Sequence, residues 1–530
     1  MIRRIFALLA LAVLIAPAAS CKKKPKLKET NDPRILEARR LMAEAGFPEG
    51  KNFPKVELLY NTSESHKKIA AAVQNMWKEN LGIEVELVNQ DWKSYLENTS
   101  KLNYQVARRG WIADYVDPYT FLELMTSHSG NNNTGWGPKA FDDLIEASDK
   151  EPDSAKRMEH LMAAEKLLLD DMPVIPIYFY VSQNMWKPDV KGLHNNILNI
   201  HPVKELVKGD GSGVLVLNNH TEVASLDPGI SRGVSEHRVQ IGLFEGLYNY
   251  DPETTKPVPG VAEKYDLSAD KKTYTFHLRD CQWSDGRPVT AHDFVYAWKR
   301  VADPKTAADY AHIMYLIKGG KEFNQGKGSA DDMAVRADGD RKLVVELVNP
   351  THYFLDLMPF FTFYPVRKDV IEKHGQDWTK KENLIGNGPY LLKDHVTNQH
   401  ILLERNSRYW DAGRVKQQQI KWLPTENAKT AYDMYRSGQC DYLDTIPLEY
   451  VDEIKKLPDY HGSPYLGVYY FSFNVTRAPF TDKRVRRALA LAIDRLTICE
   501  SILRADQAPA LSFVPPYFAE RGYTSEPFAK

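Results

Sequence analysis

The sequence predicts an α/β fold built from more than one lobe, and three observations carry that expectation. Near the N-terminus a strand, a helix and a strand follow one another, the pattern of a βαβ unit. A Gly-rich break, Lys208-Gly-Asp-Gly-Ser-Gly213, is followed by a fresh start of strands and helices. The chain has 530 residues, whereas a single core stops growing near ~250–300. Two or three lobes are expected.

Taken in order, Arg3 and Arg4 precede an apolar run from Ile5 to Pro17, and Ala18-Ala-Ser-Cys21 follows. This reads as a signal peptide over residues 1–20, with an apolar segment too short to span a bilayer. A Cys directly after such a site resembles a bacterial lipobox, which makes Cys21 the expected lipid attachment point; plain secretion is the alternative. The lysine-rich stretch after it, up to residue 31, reads as a solvated tether suited to anionic head groups. Asp32 is a good N-cap and Pro33 a good first helical residue, and Ile35, Ala38, Met42 and Ala45 recur at helical spacing until Gly46. Val56–Tyr60 reads as a strand, and His66–Asn80 as a helix with Ile69, Val73 and Trp77 on one face. Ile83–Val88 alternates as a half-buried strand should. A helix over Ser154–Leu169 and an apolar strand over Val174–Val181 come next. Beyond the Gly-rich break, Val214–Asn219 and Tyr274–Arg279 read as strands, and Thr290-Ala-His-Asp293 caps a helix carrying Phe294, Ala297 and Trp298.

Composition excludes some classes of function. Lys plus Arg number 69 against 70 for Asp plus Glu, which gives no global electrostatic reason to bind nucleic acid. Besides Cys21, the cysteines are Cys281, Cys440 and Cys499. Their number and spacing support neither a disulfide framework nor a zinc site, so each is expected as a small buried hydrophobe. No HExxH, GxSxG or Cys/His spacing points to a hydrolase. The Gly-rich break precedes its strand and lacks Gly-Lys-Ser/Thr, so it reads as a linker and not as a phosphate loop.

Many short motifs resemble one family. They include Ser225-Leu-Asp-Pro228, Leu243-Phe-Glu-Gly-Leu247, Trp283-Ser-Asp-Gly286, Asp293-Phe-Val-Tyr296, Gly386-Asn-Gly-Pro-Tyr390 and Asn474 with Ala478-Pro-Phe480. Tyr60-Asn-Thr-Ser63 and Gly110-Trp-Ile-Ala-Asp114 add to the set. Together they are similar to the oligopeptide-binding proteins of peptide ABC transporters, family 5 of the extracellular solute-binding proteins. The order departs from that family: motifs resembling its first part lie at 213–530, and motifs resembling its second part at 32–207. The sequence therefore reads as a circular permutant, with old termini joined through Lys208–Gly213 and new ones opened in a polar segment. A fusion of two partly deleted genes, or an assembly error, is the competing origin.

The resemblance implies a periplasmic-binding-protein-like fold of the cluster C type, with two lobes closing over a cleft and a third lobe inserted. Carried over, lobe I is 182–244 with 368–466, lobe II is 245–367, and lobe III is 467–530 with 32–181. A binder of many peptides must hold what all peptides share: the α-ammonium, the backbone and the terminal carboxylate. Asp114 matches the family carboxylate that pairs with the amine; otherwise it caps a turn before Tyr115. Arg108 matches an Arg that reaches the carboxylate of short peptides; otherwise it serves a structural salt bridge. Arg109 stands where a small residue is usual, and strand alternation should point it away from Arg108. Asn61 and His66 match the far end of the site. Trp92 and Trp111 match pocket walls, and Tyr180 and Tyr310 match tyrosines near the bound backbone; these four are otherwise core aromatics. Gly110, Gly233 and Val234 match positions whose backbone pairs with the peptide.

Three departures alter the expected site. Thr99 replaces a second Arg, Arg232 occupies a position that is acidic in some relatives, and Gly467 with Ile112 replaces a bridging cysteine pair. The implied function is capture of short peptides for an ABC permease, outside the cytoplasm, by a monomer held to the membrane through lipid. It needs no cofactor, no metal and no catalysis. Binding of nickel, haem, sugar or antibiotic, or a rearranged product without activity, are the alternatives.

Overall fold

The computed structural model describes residues 27–529, apart from 152 and 352. The expected signal peptide and Cys21 lie outside the described residues. Among the described residues no helix is long and apolar enough to cross a membrane.

The opening elements form for the reasons the sequence suggests. Asp32 accepts from the Arg34 N–H at 2.9 Å and caps the helix Pro33–Glu44, which buries Ile35, Ala38 and Met42. The helix Glu64–Leu81 buries Ile69, Val73 and Trp77. The strands on either side of it, Val56–Asn61 and Val85–Gln90, pair in parallel, completing the βαβ unit. The second strand starts at Val85 and not at Ile83, because the Ile83 N–H is still engaged by the Trp77 carbonyl in the helix cap. The helix expected over Ser154–Leu169 extends to Asp171. The strand expected over Val174–Val181 runs on to Trp186, because it has partners along its whole length.

A mixed sheet of 11 strands forms the frame. From one edge its order is Tyr390–Val396, His400–Arg405, Gln419–Leu423, Val214–Asn218, Tyr442–Leu443, Val174–Trp186, Tyr460–Phe473, Val106–Ile112, Val56–Asn61 and Val85–Gln90, with Ala508–Pro509 beside Val174–Trp186. The long strand Tyr460–Phe473 lies antiparallel to both Val106–Ile112 and Val174–Trp186. It joins segments from the two ends of the chain. Trp77 Nε1 donates to the Leu489 carbonyl at 2.9 Å, and Asn80 Nδ2 to that of Ala492 at 3.0 Å, so residues near 80 and near 490 share one core.

A second, antiparallel sheet of four strands has the order Ala262–Leu267, Thr273–Leu278, Lys342–Glu346, Val335–Ala337. Tyr274, Phe276 and Leu278 alternate inward along its second strand. Thr290 and Asp293 form a capping box at the start of the helix Ala291–Ala302, which buries Phe294, Ala297 and Trp298.

The family-like motifs prove to be fastenings between distant segments. Asp227 receives both Arg300 guanidinium nitrogens, at 2.9 and 2.6 Å, and Trp378 Nε1 at 3.1 Å. Asn387 exchanges bonds with the Glu245 backbone, at 3.0 and 2.8 Å. Asn474 donates to the Leu102 carbonyl at 2.9 Å. Cys281, Cys440 and Cys499 are buried and unbridged, and burial pushes their thiols up to about 12, 11 and 12. Gly467 and Ile112 face each other across the strand pair, as a cysteine pair would.

The Lys208–Gly213 segment is fastened more firmly than a plain linker. Val207–Lys208 pairs with Val190–Lys191, and Lys208 Nζ meets Asp441 at 2.7 Å. Gly211 has φ +82°, and a Cβ there would lie 2.5 Å from the Lys416 carbonyl oxygen. A glycine is required at that position.

Candidate ligand-binding site

One cavity of about 360 Å³ opens between the strand Val106–Ile112, the loop 230–234 and the segment around Tyr310. Its volume lies at the lower end of the ~300–1,000 Å³ typical of small-ligand sites. Asn61, His66, Trp92, Arg108, Gly110, Trp111, Asp114, Tyr180, Gly233, Val234 and Tyr310 all line it. Every position singled out in the sequence for peptide contact is therefore brought to one place. Lys208–Gly213 contributes nothing to the wall.

Asp114 follows the strand Val106–Ile112 and is 8% exposed. Its Oδ1 accepts from the Tyr310 hydroxyl at 3.2 Å, while Oδ2 is buried with no partner. It caps no turn with its side chain; its backbone N–H donates to Thr120 Oγ1 at 3.3 Å. Burial raises its carboxyl well above the ordinary carboxylate range. A carboxylate so placed lacks a cationic donor.

Arg108 projects from the same strand. Its Nη1 donates to Asn61 Oδ1 at 3.3 Å and its Nη2 to the Tyr180 hydroxyl at 2.5 Å. The guanidinium lies 4.7 Å from the Tyr469 ring centroid, and Nε is buried without a partner. Among the described residues no carboxylate lies within ion-pair distance of it, so the structural salt bridge weighed from sequence is not formed. Neutral oxygens and a ring face orient the cation without discharging it.

Gly110 leaves room for this arrangement, since a Cβ there would lie 2.5 Å from the Tyr180 hydroxyl and 3.2 Å from Arg108 Nη2. Gly233 likewise accommodates the Glu236 carboxylate. His66 sits beside Tyr469, ring centroids 5.5 Å apart. Burial first, and then the Arg108 and His220 charges, hold its imidazole well below the usual range, so near neutral pH it carries no charge. Trp111 packs on Tyr310 at 6.2 Å and Trp92 on Tyr95 at 5.7 Å; the Trp111 indole N–H is buried without a partner, and the Trp92 side chain lies beside the Glu236 carboxyl. Thr99 turns back into its own helix, bonding the Tyr95 and Leu96 carbonyls at 3.0 Å.

Arg109 alternates away from Arg108 toward Tyr470, yet still reaches the cavity wall. Sequence reasoning passed over Arg238, Asp444, His220 and His237, which also line the cavity. Arg238 and Asp444 form a partly buried ion pair at 2.5 Å. They lie 206 residues apart, and no local pattern joins them.

An α/β frame with a cavity that holds lone charges of both signs fits the solute-binding class of protein. The chain belongs to the bacterial extracellular solute-binding proteins, family 5, whose sequence profile matches residues 11–133 and 256–529. It is 44% identical over 309 residues to the periplasmic oligopeptide-binding protein OppA of Salmonella typhimurium, covering 57% of this chain and 56% of that protein. It is 37% identical over 313 residues to the oligopeptide-binding protein OppA of Bacillus subtilis, covering 58% and 57%. Among solved structures, the murein tripeptide binding protein MppA of Escherichia coli superposes with a TM-score of 0.57 at 37% identity, over 60% of this chain and 62% of that one. The Haemophilus influenzae OppA complex with the peptide RPPGFSPFR gives 0.55 at 35%, over 61% and 64%. The aligned region thus spans little more than half the length of the relatives.

Proposed function

We propose that this protein captures short peptides with free termini outside the cytoplasm and delivers them to an ABC permease. The observation that carries the reading is the pair of lone charges in one cavity: Asp114, with a bare carboxylate oxygen, and Arg108, with no counter-charge. A zwitterionic peptide supplies an ammonium to the first and a carboxylate to the second. The peptide-binding names of the relatives support the reading. Capture works by closure of the lobes over the ligand, and the permease reads the closed state. The protein acts as a monomer tethered through a lipid on Cys21, and it catalyses no reaction.

The lobe assignment and permuted order belong to the same proposal. Lobe III unites 32–181 with 467–530, and the Trp77–Leu489 and Asn474–Leu102 bonds support that union. Phe528 packs 4.8 Å from the Arg495 guanidinium, which also senses the charge of Arg34. This closeness likewise supports the union of the two parts of lobe III. Alignments that stop near 57% of both chains are what a rearranged order produces when matched in sequence.

Native mass spectrometry of the purified protein tests the function. A set of bound masses that fragment as peptides is the expected result. A protein that carries none, and takes up none from a peptide mixture, would overturn the proposal.

A further inference from the structure

The charges on the cavity wall do not balance, and the imbalance points to a ligand class. Four guanidinium groups line the cavity, those of Arg108, Arg109, Arg232 and Arg238, against the two carboxylates Asp114 and Asp444. Arg238 and Asp444 neutralise each other at 2.5 Å. A peptide bound as proposed above uses Asp114 for its ammonium and Arg108 for its terminal carboxylate. Arg109 and Arg232 remain.

Behind the wall, Asp309 pairs with Arg232 at 3.0 Å. Arg109 lies within electrostatic reach of both: its charge acts on Asp309 and opposes that of Arg232. Among the described residues, Asp309 is the one carboxylate within ion-pair distance of either guanidinium. Arg109 forms no ion pair of its own among the described residues; its partner is the Tyr470 hydroxyl. Glu236 is the other acid nearby. Its Oε1 is taken by the Ala224 N–H at 2.7 Å, its Oε2 has no hydrogen-bond partner, and it acts on Arg232 only from beyond ion-pair distance. On the same wall Asn131 holds a buried amide nitrogen without an acceptor. The loop carrying it abuts Asp309, whose carbonyl oxygen crowds the Cβ position of Gly130. This part of the cavity is rich in donors and short of one anion.

Its place relative to the ligand follows from Tyr310. That residue is next to Asp309 in sequence and bonds Asp114, so the Arg109–Arg232 pair flanks the ammonium end. We propose that Arg109 and Arg232 form a side-chain subsite for a carboxylate, and that the protein prefers peptides with Asp or Glu at the first or second residue. Arg109 comes from the strand Val106–Ile112 and Arg232 from the loop before the helix Val234–Leu243. An anion between them relieves their repulsion and favours the closed state.

This inference rests on the peptide-binding reading, and one experiment separates the two. Calorimetry would compare trialanine with tripeptides carrying Glu or its isostere Gln at positions one, two and three. The expected result is a roughly tenfold tighter binding of Glu over Gln at position one or two, the scale of a hydrogen-bonded charge. Arg109→Gln and Arg232→Gln should each bring the Glu-over-Gln affinity ratio, measured within the same variant, most of the way to one, and Arg109→Lys should keep part of the preference. Trialanine binding with Glu equal to Gln everywhere, or a preference that survives both substitutions, would overturn the subsite and leave peptide capture standing. Failure of all the peptides to bind, trialanine included, would overturn both.

Discussion

The two poles of the cavity are built differently. At Arg108 the cation is held by Asn61, Tyr180 and the Tyr469 ring face before any ligand arrives. At Asp114 a single Tyr310 hydroxyl touches the carboxylate, and the second oxygen is bare. The basic pole is therefore oriented in advance, whereas the acidic pole depends on the ligand for its charge balance. Because burial disfavours an ionised carboxylate far more than neutral donors can offset, the ammonium contact should dominate affinity and the carboxylate contact should refine it.

The largest effect is expected at the acidic pole. Asp114→Asn should weaken tripeptide binding by roughly two to three orders of magnitude, from the ~3–5 kcal/mol cost of removing one partner of a buried pair. Calorimetry on the folded variant checks this. At the basic pole, Arg108→Gln should cost a free-acid tripeptide about ten- to a hundredfold, and its C-terminal amide much less, on the scale of one charged hydrogen bond. If the amide suffers equally, Arg108 is only a scaffold for Tyr180.

The pH dependence should separate the poles further. The Asp114 carboxyl is raised by burial, so its proton is bound at pH values where an exposed Asp is already charged. A protonated Asp114 cannot pair with an ammonium. Affinity should therefore be full at higher pH and fall as pH drops through that raised value, by about tenfold per unit below it. His66 and His237 are both held low and should add no step near neutrality. A titration of affinity that is flat down to the ordinary carboxylate range would contradict the acidic-pole account.

Smaller effects probe the frame. Gly110→Ala would push a methyl group against Tyr180 and Arg108 and should cost about 1–3 kcal/mol of stability, read as a lower Tm. Extending the chain after Gly209 by a few Gly-Ser units should leave affinity unchanged. It should lower stability by only about 0.6 kcal/mol per doubling of the loop, provided Gly211 keeps its bond to the Gln418 N–H at 2.8 Å.

Local features were legible in the sequence, and long-range ones only in part. The Asp32 cap, the Thr290–Asp293 capping box and the Ile69–Val73–Trp77 face act within a turn or two, where spacing alone decides. The cavity residues were legible because Gly110–Asp114 arrives as a motif. The ends of Val174–Trp186 and the Arg238–Asp444 pair depend on partners hundreds of residues away, which periodicity does not record. Arg109 shows both sides of this. Strand alternation turned it correctly away from Arg108, but the approach of Arg232 and Asp309 on its other side needed the fold.

The most direct measurement compares one tripeptide in free and N-acetylated form, titrated calorimetrically against the same protein. Acetylation replaces the ammonium that Asp114 is held to receive by a neutral acetamide, and the Asp114→Asn variant controls for the added bulk. A loss of at least a hundredfold on acetylation, absent in Asp114→Asn, is the predicted result. Equal affinity for the two forms would contradict the central claim that a buried carboxylate reads the peptide amine.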